Sequence, residues 1–269
     1  MVLSKHFRSW LQLFFATLFV VFTAAYQASA SEEEGFDSPY KPSADVMADV
    51  DRTLATAREK GRLALIVMGA TWCHDSRGLA RRFRDESVGE VLDKDYEVLF
   101  VDVGYLDQAR AVNQRFGMPS IYATPTVMIV GPETEELKNA RSMHMWRAAD
   151  SISYSDTRDY FAREAALARN PAPAPGAILK AYYESIDAFE EREASRLIEG
   201  YNRIGPQLAL GPGNYPDGFE ALWGEVRGFR YKLTDDLLAL RAQAEELAGE
   251  GISEPLVFPS YPALSWEAE

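Results

Sequence analysis

The chain predicts an α/β fold with a mixed sheet, followed by an α-helical hairpin. Three observations carry this expectation. Residues 63–68 (Leu-Ala-Leu-Ile-Val-Met) form an apolar run of strand length without polar alternation, as in a strand covered by helices on both faces. Strand-like and helix-like segments alternate from residue 43 to residue 169, which implies parallel pairing of the first two strands. Beyond a proline-rich stretch, apolar residues return at helical spacing in two long stripes.

The elements follow in order. Residues 1–30 read as a signal peptide: Lys5, His6 and Arg8 precede the apolar run 11–25, and Ala28-Ser29-Ala30 is a small-x-small cleavage site. A retained anchor is the alternative, but an apolar run of about 15 residues is short for the roughly 20 a spanning helix needs. Residues 31–42 read as a flexible polar leader. A helix then opens with Ser43 as N-cap, buries Val46, Val50, Leu54 and Ala57, and stops at Gly61. After the strand 63–68 comes a helix through Leu79 and Phe83, then a strand over 97–103, a helix over 106–116 closed by Gly117, and a strand over 126–130. Gly131-Pro132-Glu133 is a turn, and residues 142–148 are expected to return as an antiparallel edge strand. A helix over 155–168, capped by Ser155 or Asp156, ends a first domain of residues 43–169.

Residues 170–176, with three prolines, form a linker that no helix can cross. In 177–250 the stripes Ile178 to Ile204 and Phe219 to Leu247 make the hairpin, interrupted at Gly205-Pro206 and weakened at Gly224, Gly228 and Thr234. Such a pair covers its stripes only in part by itself, so it packs on the first domain or on a partner. The tail 251–269 is extended and aromatic, either a strap or a docking segment.

Cys73 is the only cysteine. It stands where the first strand gives way to a helix, and the free N–H groups and dipole of a helix N-terminus favour a thiolate. The alternative is a small buried hydrophobe. Two motifs decide between these: Trp72-Cys73-His74-Asp75-Ser76 after one strand, and Thr124-Pro125-Thr126 before another. Together they resemble the thioredoxin superfamily. The resemblance implies a thioredoxin-like three-layer sandwich with Cys73 as nucleophile and Pro125 as the cis proline that faces it. It further implies that Trp72, His74, Asp75, Thr124 and Pro125 meet the substrate.

Three departures qualify the chemistry that the resemblance implies. Ser76 replaces the second redox cysteine; beside the thiol it can hydrogen-bond a thiolate but cannot close a disulfide. Val67 stands where many thioredoxins have a buried acid, and residues 118–123 lengthen the link before Thr124. His74 and Asp75 would move the thiol in opposite directions. Arg77, Arg81, Arg82 and Arg84 form a basic cluster, read as a solvated face or, for Arg77 or Arg81, as support for the thiolate.

The formal charge is −13, and loss of residues 1–30 removes two cations and no acids, leaving −15. That sign disfavours nucleic acid and anionic membranes. Three histidines and one cysteine show no metal-ligand spacing, so neither metal nor cofactor is expected. The sequence thus points to an exported, periplasmic or extracellular monothiol exchange protein. Its partners are a disulfide- or thiol-containing protein or a small thiol, with membrane contact only through an uncleaved signal peptide. The other reading is a redox-inactive binding scaffold that uses the same groove and hairpin, since a fold does not guarantee its usual chemistry.

Overall fold

In the computed structural model the described residues are 37–170 and 174–267. The signal peptide, its cleavage site, the start of the leader and the middle of the linker lie outside them. Residues up to Ser38 and residues from Pro39 onward form two separate units. The second holds the sheet and all the described helices.

Its centre is a three-stranded sheet in the order β2-β1-β3, with β1 Leu63–Gly69, β2 Tyr96–Asp102 and β3 Thr126–Val130. β1 pairs parallel with β2, Leu65 opposite Val98, and antiparallel with β3, Leu65 opposite Ile129. The sheet is therefore mixed. Ala64 to Met68 are wholly buried, because helices cover both faces. Ala64, Ile66 and Met68 join a core with Val50, Leu54 and Ala57 of α1 (Val46–Lys60). Leu65, Val67, Leu79, Val127 and Phe161 are buried outside that cluster, as the two-residue alternation of a strand requires.

Helix α1 is capped by Asp45, whose Oδ1 accepts from Ala48 N–H at 3.0 Å; Ser43, the expected cap, instead bonds Asp49. The segment after Cys73 is two helices, α2 His74–Arg82 and α3 Glu86–Asp95. Asp85 caps the second through Ser87 and Val88, a start signal absent from the sequence expectation. The helix expected over 106–116 shrinks to α4, Arg110–Arg115. Leu106 and Ala109 ahead of it have φ of 71° and 56°, left-handed values no helix contains.

Residues 142–148 are not a strand. They lie in and just before a 3₁₀ helix, Met143–Ser151, in which Met143, Trp146 and Ala149 are buried. That period of three fits a 3₁₀ turn and not the alternation of a strand. The edge of β3 is closed instead by a single bridge, Val130 to Leu137, and by the Asn139 side chain. Its Oδ1 accepts from Ile129 N–H at 2.8 Å, and its Nδ2 donates to Val127 O at 2.9 Å. Helix α5, Tyr154–Arg169, is capped by Ser153, two residues before the first expected cap.

The hairpin consists of α6, Ala177–Leu208, and α7, Phe219–Gly249. It is antiparallel: Tyr183 reaches Glu245, while Arg241 reaches Asp187 and Glu190. Neither helix breaks where the sequence suggested. Pro206 lies in the last turn of α6, and the buried stripe from Val226 to Ala244 outweighs about 1 kcal/mol for each glycine of α7. The hairpin shares the core of the sheet and α1. The tail is a strap across it: Phe258 stacks on Phe189 at 5.0 Å, Tyr261 bonds Asp236, and Trp266 Nε1 donates to Arg196 O at 3.0 Å.

Candidate functional site

β1 ends at Gly69, Ala70-Thr71-Trp72 follow, and Cys73 is the N-cap residue of α2, with extended φ/ψ of −84° and 122°. Its Sγ donates to Thr124 O at 3.0 Å, and the Thr124–Pro125 peptide bond is cis. The structure thus brings Cys73, Thr124 and Pro125 together although about fifty residues separate them. Cys73 is only 7% exposed, and every residue from Ile121 to Val130 is buried.

Ser76 lies one turn on but faces inward. Its Oγ accepts from Ala70 N–H at 3.3 Å, and among the described residues no hydrogen bond joins it to Cys73 Sγ. In this thiol form the Ser76 hydroxyl is engaged with the end of β1. Tyr40, which the sequence places in a flexible leader, explains the geometry. It is 2% exposed and packs edge-on to Phe100, with ring centroids 5.3 Å apart. Its hydroxyl donates to Ser76 O at 3.3 Å, and its own carbonyl accepts from Thr71 Oγ1 at 3.3 Å. Burial first, then the neighbouring Cys73, push its phenol far above the usual range, so it remains protonated. Gly69 makes room for it: a Cβ there would sit 2.6 Å from both Ser76 Oγ and the Tyr40 ring. The available signal was a tyrosine between prolines in an otherwise polar leader.

Trp72 reaches the loop after β2, where its Nε1 donates to Gly104 O at 2.8 Å and its ring stacks on Tyr105. His74 and Asp75 lie against each other, with His74 Nε2 3.5 Å from Asp75 Oδ2, and share a partner. Both meet Asp150 at the end of the 3₁₀ helix: His74 Nδ1 lies 2.8 Å from Asp150 Oδ2, and Asp75 Oδ1 accepts from Asp150 N–H at 3.0 Å. Burial raises the Asp75 carboxyl above the usual range, against the opposing pull of that N–H. Burial also acts to raise Asp150, but its bonds to His74 and Asp75 and the nearby charges of His74 and Arg82 leave it below that range. The three side chains hold α2 to the 3₁₀ helix. Arg77 donates to Thr71 O at 2.8 Å, and Arg82 to Ile152 O and Asp150 O. Those two arginines of the basic cluster therefore hold backbone around the site. Val67 is fully buried, and no carboxylate occupies its place.

The hairpin supports the same walls. Tyr201 of α6, 1% exposed, donates its hydroxyl to Ile121 O. Gly205 lies so close to the loop of Tyr105 that a Cβ would be 2.7 Å from Tyr105 O.

Residues 45–132 match a family model described as thioredoxin-like. The chain carries a thioredoxin-like domain. Among solved structures, it is similar to the disulphide isomerase from Xylella fastidiosa Temecula1, at 26% identity with a TM-score of 0.43. That similarity covers 48% of this chain and 98% of the other. No curated protein matches. The thioredoxin-like domain is extended here by the hairpin and strap, so its cis-proline wall is backed by helices from the C-terminal part of the chain.

Proposed function

We infer that the protein performs thiol-disulfide exchange outside the cytoplasm through a single nucleophile, Cys73. The observation that carries this reading is the contact of Cys73 Sγ, at the start of α2, with the carbonyl of Thr124, beside the cis peptide bond to Pro125. In the exchange, the Cys73 thiolate attacks one sulfur of a substrate disulfide. A bond forms between Sγ and that sulfur, the S–S bond breaks, and the departing thiolate takes up a proton. The Sγ–Thr124 hydrogen bond belongs to the thiol form and is given up when the thiolate forms. Ser76 carries no sulfur, so a second thiol, from a protein or a small molecule, resolves the mixed disulfide. Residues 1–30 supply the export signal, with cleavage near Ala30.

The test is intact-mass measurement after incubation with oxidised glutathione and acid quench. One glutathionyl group is expected on the native chain, released by added dithiothreitol, and none on Cys73→Ala. If the native thiol stays unmodified from neutral to alkaline pH while the unfolded chain reacts, the exchange reading fails.

One observation favours a second reading, a binding scaffold without turnover. The thiol is nearly covered and the wall from Ile121 to Val130 is buried, so the groove is closed in this state. An inert Cys73 in the same experiment would select it.

A further inference from the structure

A cleft of about 210 Å³ lies between the thioredoxin-like domain and the hairpin. Its apolar part includes Phe116, Met118, Leu137 and Leu237, and its polar part includes Tyr122, His144, Glu190 and Arg241. Tyr122 is 4% exposed, and among the described residues its hydroxyl makes no hydrogen bond of ordinary length; the Glu190 carboxylate is the acceptor it faces. A buried hydroxyl so loosely paired is open to a further partner.

The charges around the cleft limit what can enter it. Arg241 is engaged by both Asp187, at 3.0 Å, and Glu190, at 2.8 Å. Two carboxylates therefore share one guanidinium; burial raises Glu190 above the usual carboxylate range, opposed by Arg241 and Tyr122, so a second cation beside it would favour its charged form. Burial, together with the charges of Arg147 and Arg241, holds His144 below the usual histidine range despite its bond to the Ala140 backbone; it is neutral, and its second ring nitrogen is an acceptor. Acceptors thus outnumber free donors. Among the described lining residues, an anion would meet Glu190 with no uncommitted cation to balance it.

We propose that this cleft binds a small organic ammonium ion, its N–H groups donating to Glu190 and Tyr122 and its apolar body lying against Phe116 and Leu237. An ammonium carries three donors and no acceptor, the complement of this lining. The volume lies below the roughly 300–1,000 Å³ of sites for drug-sized ligands and limits the body to about one ring or a short chain. The site is separate from Cys73, but Tyr122 stands two residues before Thr124, whose carbonyl accepts the thiol's hydrogen bond.

Calorimetric titration of the full chain with benzylamine, butylamine, benzyl alcohol and benzoate tests the proposal. At least one amine should bind saturably at one site, at least about tenfold tighter than the alcohol or benzoate, as expected for a hydrogen bond to a charged group. Glu190→Gln should weaken the amine about tenfold or more. Tyr122→Phe should weaken it severalfold, and Leu237→Trp, which fills the cleft, should abolish it; these two variants carry the test if Glu190→Gln does not fold. The proposal is overturned if neither amine binds, in which case the cleft holds only water. It is also overturned if the alcohol or benzoate binds as well as the amine, or if amine binding survives in Tyr122→Phe and Leu237→Trp unchanged.

Discussion

Replacing Ser76 by cysteine restores a sulfur at the spacing of a dithiol site, and the structure sets both the cost and the gain. In the reduced variant a fully buried hydroxyl that accepts from Ala70 N–H is lost, worth about 1 kcal/mol. The larger sulfur also enters a space bounded by Gly69 and the Tyr40 ring, where overpacking costs about 1–3 kcal/mol. Reduced Ser76→Cys should therefore be less stable than the native chain by roughly 2–4 kcal/mol. Oxidation then closes a four-residue loop, which the chain-entropy relation values at about 2 kcal/mol. For a chain of this size that is a rise in Tm of about 4–8 °C over the reduced variant. Side chains three apart on a helix have Cβ atoms about 5–6 Å apart, whereas a disulfide needs about 3.5–4.5 Å. Cys73 must swing from Thr124 O to meet its partner; as an N-cap residue with extended backbone it has room to turn. Thermal unfolding with and without dithiothreitol, beside an insulin-reduction assay of native, Ser76→Cys and Cys73→Ala proteins, reads both effects. If no internal disulfide forms, or the variant reduces insulin no faster than the native protein, residues 73 and 76 lack dithiol geometry and the binding-scaffold reading takes the lead.

Tyr201→Phe leaves the buried Ile121 carbonyl without its donor, so a loss of about 1–3 kcal/mol in urea unfolding is expected, together with faster alkylation of Cys73 as the wall behind Thr124 loosens. Asn139→Ala orphans both Ile129 N–H and Val127 O and should cost roughly 3 kcal/mol, read as an earlier chemical-denaturation midpoint. His144 is held below its ordinary value of 6.5, so as pH falls below that value the unfolded chain binds a proton that the native chain refuses. Its contribution to stability is present above 6.5 and lost at lower pH, with a slope of at most about 1.4 kcal/mol per pH unit; His144→Gln should flatten the dependence of Tm on pH there. Limited proteolysis should cut first within residues 171–176, and the fragments should co-elute in gel filtration because the hairpin shares the core of the sheet.

The central strand was legible because its environment is written into consecutive residues: six apolar side chains in a row fit a strand covered on both faces. The cysteine turn and the Thr-Pro-Thr loop were legible for a different reason, since each motif carries its own local geometry. What escaped the sequence depends on contacts made far along the chain. Tyr40 reads as part of a polar leader until Gly69 opens a place for it. Residues 142–148 contain apolar positions that fit a strand or a 3₁₀ turn, and only the burial of Met143, Trp146 and Ala149 on one side separates the two. The inward turn of Ser76 depends on Tyr40 and Ala70, and the engagement of His74 and Asp75 on an aspartate seventy-five residues away, which no local pattern announces.

An edge strand normally offers its outward backbone groups to any extended chain that comes near, which makes it both a docking rail and an aggregation hazard. β3 is such an edge, yet three of its outward groups are already occupied: the Asn139 amide accepts from Ile129 N–H and donates to Val127 O, and Lys138 N–H donates to Ile129 O at 2.7 Å. One side chain here serves as a false fourth strand. A peptide that extends the sheet on this side, or a second copy that zips through it, must first displace these bonds.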